Sequence, residues 1–489
     1  MIESVETPEV RTHSTLAWIL VPAVIMSLGW GLRGYIGGGP FGAMIPGALV
    51  SLMLCEYLRV DVRAASVVVA FGTMGIGFGG NMTYGQTLGL IRVDETFLWG
   101  LIGTTTKGAV WGLLGGAMLG LGFIADRMRW RHLIGVIGCL LIGITIGIVC
   151  INAPRWIYFS DPLNKPRDES WAGLLAGAIA LLAYLRFVQP RTFRLPATFA
   201  FYGTIGGGLG FGIGSLFLAW QPHAPEAWRW LPYWKFMEFF FGLLFGGGLG
   251  FAAYRLRDHI IADETSGNTE SLPQSAARGL LGTLLGASVV LFVFYFWPRL
   301  TLLVFPNLAE VTRGSLSMTA TDVLTDFTGL GCVMLLLSRR WPTVAWQLAI
   351  SVTIVAAAID WLEDLHPRGD INMPEQYRLL FLLATAAVSV IFVQRWQQSR
   401  APKLTSLFLF AACILMGIGY LMGLGMSDIW WPNPELIAPA GGRWSFLWQE
   451  FRSEIIVHAI FATLFVLSLS ACLWEQQHKE PLKPVPEGN

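Results

Sequence analysis

Residues 96–124 read TFLWGLIGTTTKGAVWGLLGGAMLGLGFI, a glycine-rich apolar run with a single ionisable side chain, Lys107. A helix crosses the hydrocarbon core of a bilayer with about 20 mostly apolar residues. This stretch is longer than that, so it predicts a spanning helix that tilts or extends past the membrane. Lys107 lies about eleven residues in, roughly 16 Å along a helix axis, which puts it near the bilayer midplane. An ionisable group at that depth needs a partner or a wet cavity. Thr104, Thr105 and Thr106 add hydroxyls beside it.

Part of the same stretch recurs. Trp111–Gly120 reads WGLLGGAMLG and Phe241–Gly250 reads FGLLFGGGLG, with six of ten positions identical at a shift of 130 in the numbering. Upstream, FGTMGIGFG at Phe71–Gly79 returns as YGTIGGGLG at Tyr202–Gly210, with five of nine positions identical at a shift of 131. Gly47-Ala48 and Gly177-Ala178 are again 130 apart. Near-constant offsets across three pairs point to a tandem duplication of a four-helix unit, with residues 1–129 and 130–260 as the two copies. An even number of spans per unit makes the copies parallel. Glu238, at nearly the position in the second copy that Lys107 holds in the first, is the symmetry-related candidate to pair with it.

Outward from these segments the same length rule predicts about fourteen spans. They are roughly 15–34, 40–58, 62–81, 96–124, 131–152, 170–188, 197–220, 233–255, 277–297, 316–337, 342–360, 376–395, 403–424 and 454–474. The run 298–306 is too short to cross. The expected fold class is therefore an all-α polytopic membrane protein, with the duplicated units followed by a six-helix region at 270–475 and a tail at 476–489. With the N-terminus inside, the connections on the inner side hold 19 Lys and Arg and those on the outer side hold 13. This predicts cytoplasmic termini and residence in the cytoplasmic (inner) membrane. The outer loops are Trp-rich, as in HAPEAWRWLPYW at 223–234, and fit an interfacial aromatic belt.

Composition agrees. Of 489 residues 54% are hydrophobic and only 13% charged, the net charge is +1 and the mean hydropathy is +0.57. Disorder and disulfide scaffolds are excluded by this balance, and a nucleic-acid binder would show a basic excess. The six cysteines fall in apolar stretches without metal-ligand spacing, so they read as small hydrophobes. The first residues, MIESVETPEVRTHS, are acidic and do not read as a cleavable signal peptide.

Several residues are candidates for chemistry. Arg33 opens a Gly-rich interruption, RGYIGGGP, between the first two spans. The stretch GGNMTYGQ at 79–86 is either an ordinary outer loop or a short re-entrant element presenting Asn81, Thr83, Tyr84 and Gln86 to a cavity. Arg33, Asn81, Gln86, Thr105, Lys107 and Glu238 are thus the expected substrate-binding set. Asp322 and Asp326 share a helix face, Asp360 heads an acidic cluster, and Glu454 lies one turn from His458. These five are the candidates for ion or proton coupling. GTTTKG at 103–108 lacks nucleotide-loop spacing, and no protease, hydrolase or prenyl-diphosphate motif is present.

No catalytic residue, cofactor or metal is expected from these patterns. The function that fits best is a secondary transporter of a small polar or anionic solute. A polytopic membrane enzyme acting on a lipid-linked or acyl substrate at the outer face, using His458, Glu454 and the acidic cluster near Asp360, is the alternative, and a non-catalytic membrane subunit is a third. The partners expected are the solute and the lipid bilayer, with homo-oligomer formation open and no nucleic acid.

Overall fold

A computed structural model describes residues 14–33, 39–161, 167–266, 327–341, 343–349 and 441–477, together with isolated positions between 284 and 391. Among the described residues the chain is helical and contains no strand. The helices are α1 (Thr15–Arg33), α2 (Gly39–Tyr57), α3 (Val62–Gly79), the short α4 (Gly85–Ile91), α5 (Phe97–Ala125), α6 (Trp130–Gly147), α7 (Trp171–Val188), α8 (Arg194–Trp220), α9 (Tyr233–Ser266), α10 (Phe327–Arg340) and α11 (Arg443–Gln477). Eight described segments are long and apolar enough to cross a membrane: seven drawn from α1, α2 and α5–α9, and Ile455–Trp474 within α11. A shorter apolar helix, Arg63–Gly79, falls within α3. Apart from the isolated positions, the expected spans at 277–297, 376–395 and 403–424 and the short run 298–306 lie outside the described residues, as does the tail beyond Gln477.

Glycine would weaken these helices in water. In lipid the backbone has no other hydrogen-bond partner, and small residues let two helices approach to backbone contact. The seam between α5 and α8 uses this most fully. Gly108 faces Gly207, Gly112 faces Gly203, Gly116 faces Phe199 and Gly120 faces Pro196. As one number rises by about four the other falls by about four, so the helices run antiparallel. A methyl group on Gly112 would collide with the carbonyl oxygen of Gly203, and one on Gly120 would lie 2.6 Å from Pro196 Cα. The contact between α1 and α9 has the same character, with Gly242 against Ser27, Gly246 against Pro22 and Gly250 against Trp18.

Within the region 1–260 some helix contacts recur and one does not, since α2 packs closely on α3 whereas α7 barely meets α8. Helix α1 packs on α2 as α6 packs on α7, and α3 packs on α5 as α8 packs on α9. Gly79 rests on Trp111, and Gly210 rests on Phe241. Between the halves the partners differ, since α5 lies along α8 while α9 lies along α1. The outer faces remain apolar and uncovered by described protein. Ile134, Ile142 and Ile146 on α6 are 54%, 62% and 55% exposed, as suits contact with lipid tails.

The seam has a direct test. Gly112→Leu should cost about 1–3 kcal/mol or more through overpacking, read as a lower melting temperature and loss of monodispersity in size-exclusion chromatography. Gly138→Leu on α6, where no atom lies within 4 Å of an added Cβ, should leave both unchanged. Equal behaviour of the two variants would contradict the close α5–α8 approach.

Candidate functional site: two buried cations against one segment

Helix α3 ends at Gly79, and the chain approaches the start of α2 so closely that a methyl on Gly80 would lie 2.5 Å from the Gly39 carbonyl oxygen. It then turns through residues 81–84 into α4, which packs on α5 with Thr87, Leu88 and Ile91 buried. This segment meets a buried cation on each side.

The first is Lys107, 1% exposed. Its ammonium donates to the Thr83 carbonyl oxygen at 2.5 Å, to Thr87 Oγ1 at 2.8 Å and to Glu169 Oε1 at 2.8 Å. An ammonium has three N–H donors, and all three are used. The partner carboxylate is equally well served. Glu169 Oε1 also accepts from Ser160 Oγ at 2.9 Å, and Oε2 accepts from the Phe159 backbone N–H at 3.1 Å. Thr87 Oγ1 in turn donates to the Phe159 carbonyl oxygen at 2.9 Å. The pair thus fastens three pieces of chain together: α5, the 83–87 turn, and the connection between α6 and α7.

The expected pairing of Lys107 with Glu238 is corrected by this geometry. Glu238 sits on α9, where Oε2 accepts from Lys235 Nζ at 2.8 Å and Oε1 from Trp234 Nε1 at 3.1 Å. Lys235 also donates to the Gly31 carbonyl oxygen at 3.2 Å, which brings this pair against the end of α1.

That end of α1 carries the second cation. Arg33 is 3% exposed. Its guanidinium carbon lies 5.4 Å from the centre of the Trp30 ring, 5.0 Å from Tyr84 and 5.5 Å from Trp111. Its Nη1 donates to the Tyr84 hydroxyl. The rings support one another: Trp30 meets Trp111 edge-on at 4.8 Å, and Tyr84 meets Phe211 at 5.4 Å. Among the described residues no carboxylate pairs with Arg33, and the buried Arg33 Nε and Trp30 Nε1 have no hydrogen-bond partner. Adjacent residues therefore answer to different cations, Thr83 to Lys107 and Tyr84 to Arg33.

The other expected residues are dispersed around these two centres. Asn81 Nδ2 donates to Thr328 Oγ1 at 2.7 Å, tying the segment to α10. Gln86 Oε1 accepts from the Asp161 backbone N–H at 3.2 Å. Thr105 lies on α5 where it faces Gly212 of α8. Asp322, Asp326 and Asp360 lie outside the described residues. Glu454 is on α11, its side chain outside the description. His458, one turn on, has its ring 6.3 Å from that of Phe461, which packs on Phe239. The residues that the sequence reading missed are Thr87, Glu169, Ser160, Trp30 and Trp111. Only the two tryptophans carried a signal, as bulky aromatics among glycines.

If the ion pair is a structural fastening, its halves should be strongly coupled. Lys107→Met should destabilise by about 3–5 kcal/mol, because it strands a buried carboxylate. Lys107→Met with Glu169→Gln should regain much of that, measured by thermal unfolding in detergent. Glu238→Gln should show no such rescue of Lys107→Met. Rescue by Glu238→Gln in place of Glu169→Gln would contradict the pairing.

Comparison of the chain with known protein families, with curated proteins and with solved structures gave no match.

Proposed function

We propose that the protein is a secondary transporter of a small anionic solute, for which Arg33 is the recognition charge. One observation carries the reading: a buried guanidinium ringed by three aromatic side chains, without a carboxylate partner among the described residues. Cation–π contacts of this kind contribute about 0.5–2 kcal/mol each, which offsets part of the cost of burying the charge. A solute carboxylate or phosphate would offset more, and it would also occupy the unused N–H groups of Arg33 and Trp30. Near Arg33 the Lys235–Glu238 pair is neutral as a unit, so the local field stays positive. Lys107, with its donors filled by Thr83, Thr87 and Glu169, holds the segment that carries Tyr84, Asn81 and Gln86. Thr105 completes the expected set on α5.

The remaining parts of the reading follow from the sequence. Units 1–129 and 130–260 are parallel copies. The six-helix region at 270–475 contributes Asp322, Asp326, Asp360, Glu454 and His458 for coupling to protons or a cation. About fourteen spans, with both termini cytoplasmic, lie in the inner membrane. The packing of α3 on α5, matched by that of α8 on α9, supports the duplication, while the α2–α3 contact has no match between α7 and α8.

The test is charge movement and uptake in proteoliposomes challenged with a panel of small carboxylates, phosphates, amines and sugars. At least one anion should be moved, and Arg33→Gln should abolish that movement while keeping a normal melting temperature. Movement confined to amines or neutral solutes, or full activity in Arg33→Gln, would overturn the reading.

A further inference from the structure

The start of α8 and the latter half of α9 enclose a groove of about 570 Å³, lined by Phe193, Arg194, Ala197, Phe201, Arg255 and Leu256 among others. It lies far along the chain from the Arg33 cage and uses none of its residues. Both arginines are exposed. Arg194 Nη1 lies 2.5 Å from His259 Nε2. A guanidinium only donates, so His259 accepts with that nitrogen and orients Arg194, leaving the other N–H groups of the fork for a ligand. Among the described residues no carboxylate pairs with Arg255. The nearby Asp258 lies 3.5 Å from Arg257. No acidic side chain lines the groove, so it offers two cations and nothing to hold an ammonium.

The groove also continues into an apolar track. Phe201 in its wall is 59% exposed, and Ile205, Leu209 and Ile213 follow at 42%, 50% and 44%. Spacing by four sets these side chains in one row along α8, about 18 Å long at 1.5 Å per residue. A row of exposed apolar groups leading from a pair of arginines matches a molecule with an anionic head and a long apolar tail.

We infer that this groove is a binding site for an anionic membrane phospholipid, with the phosphodiester held by Arg194 and Arg255 and an acyl chain laid along Phe201, Ile205, Leu209 and Ile213. Arginine forks hold phosphate oxygens in paired, charge-assisted hydrogen bonds. Basic pockets between membrane helices recognise lipid head groups by this chemistry. The neighbouring Arg186 and Arg191 lie at the same end but do not line the groove. Selectivity should therefore depend on the two groove arginines and not on the total charge of that end.

The experiment uses the full chain in nanodiscs of phosphatidylcholine doped with phosphatidylglycerol, with retained lipid counted by native mass spectrometry. Wild-type protein should retain phosphatidylglycerol over phosphatidylcholine by about tenfold. Arg194→Gln with Arg255→Gln should lose most of that preference, and Arg186→Gln with Arg191→Gln should keep it. Inorganic phosphate and glycerol 3-phosphate, added at millimolar levels, should not displace the lipid. Absence of a preference in the wild type, equal loss in both double variants, or displacement by the soluble phosphates would each overturn the proposal. The wild-type comparison decides the matter even if a variant folds poorly.

Discussion

The ammonium of Lys107 spends each of its three protons on a different acceptor, and the architecture around α4 follows from that. Burying a charge this deeply is costly, and a partner with complete hydrogen bonds offsets that cost. Thr83, Thr87 and Glu169 complete them, and in doing so they fix a non-helical turn against α5. Backbone that leaves the helix beside a buried charge needs its polar groups met by protein. Lys107 meets the Thr83 carbonyl oxygen in this way. The neighbouring residue, Tyr84, is thereby held with its hydroxyl on Arg33. The two cations have opposite fates: one is fully used by the fold, and the other keeps an unmet donor.

Glycine makes this arrangement compact enough to matter. Only glycine lets α5 lie on α8 with backbone against backbone at Gly108, Gly112, Gly203 and Gly207. Because α5 also carries Lys107 and Trp111, the seam sets the distance between the ion pair and the aromatic cage. Trp111 shows how the layers interlock. Its Nε1 donates to the Ile76 carbonyl oxygen at 2.7 Å, its ring fills the space left by Gly79, and its face meets Arg33.

Much of this was legible in the sequence because helix length and glycine content are local properties. The expected spans 15–34, 40–58, 96–124 and 170–188 differ from α1, α2, α5 and α7 by a residue or so at either end. The cost of Lys107 was legible too, since a lone ammonium among apolar residues signals a hidden partner. The identity of that partner was not. Repeat symmetry pointed to Glu238 on α9, whereas the acceptor is Glu169, just before α7. Residues 158–161 and 167–170 lie against the 81–87 segment and bring Glu169 to Lys107, and that approach has no sequence pattern. Arg33 was identified as a charge beside a Gly-rich break. Its cage was hidden because Trp30, Tyr84 and Trp111 come from three elements far apart in the chain.

The measurement closest to the central claim asks which of the two cations a solute meets. Melting temperatures are recorded for the wild type, Arg33→Gln, and Lys107→Met with Glu169→Gln, each in acetate, benzoate, phosphate and sulfate at constant ionic strength. A bound ligand raises the melting temperature of the species that binds it. The account predicts that at least one of these anions stabilises the wild type and the paired Lys107/Glu169 variant, and leaves Arg33→Gln unaffected. An anion that stabilises Arg33→Gln as strongly as the wild type, but fails on the Lys107/Glu169 variant, would contradict it.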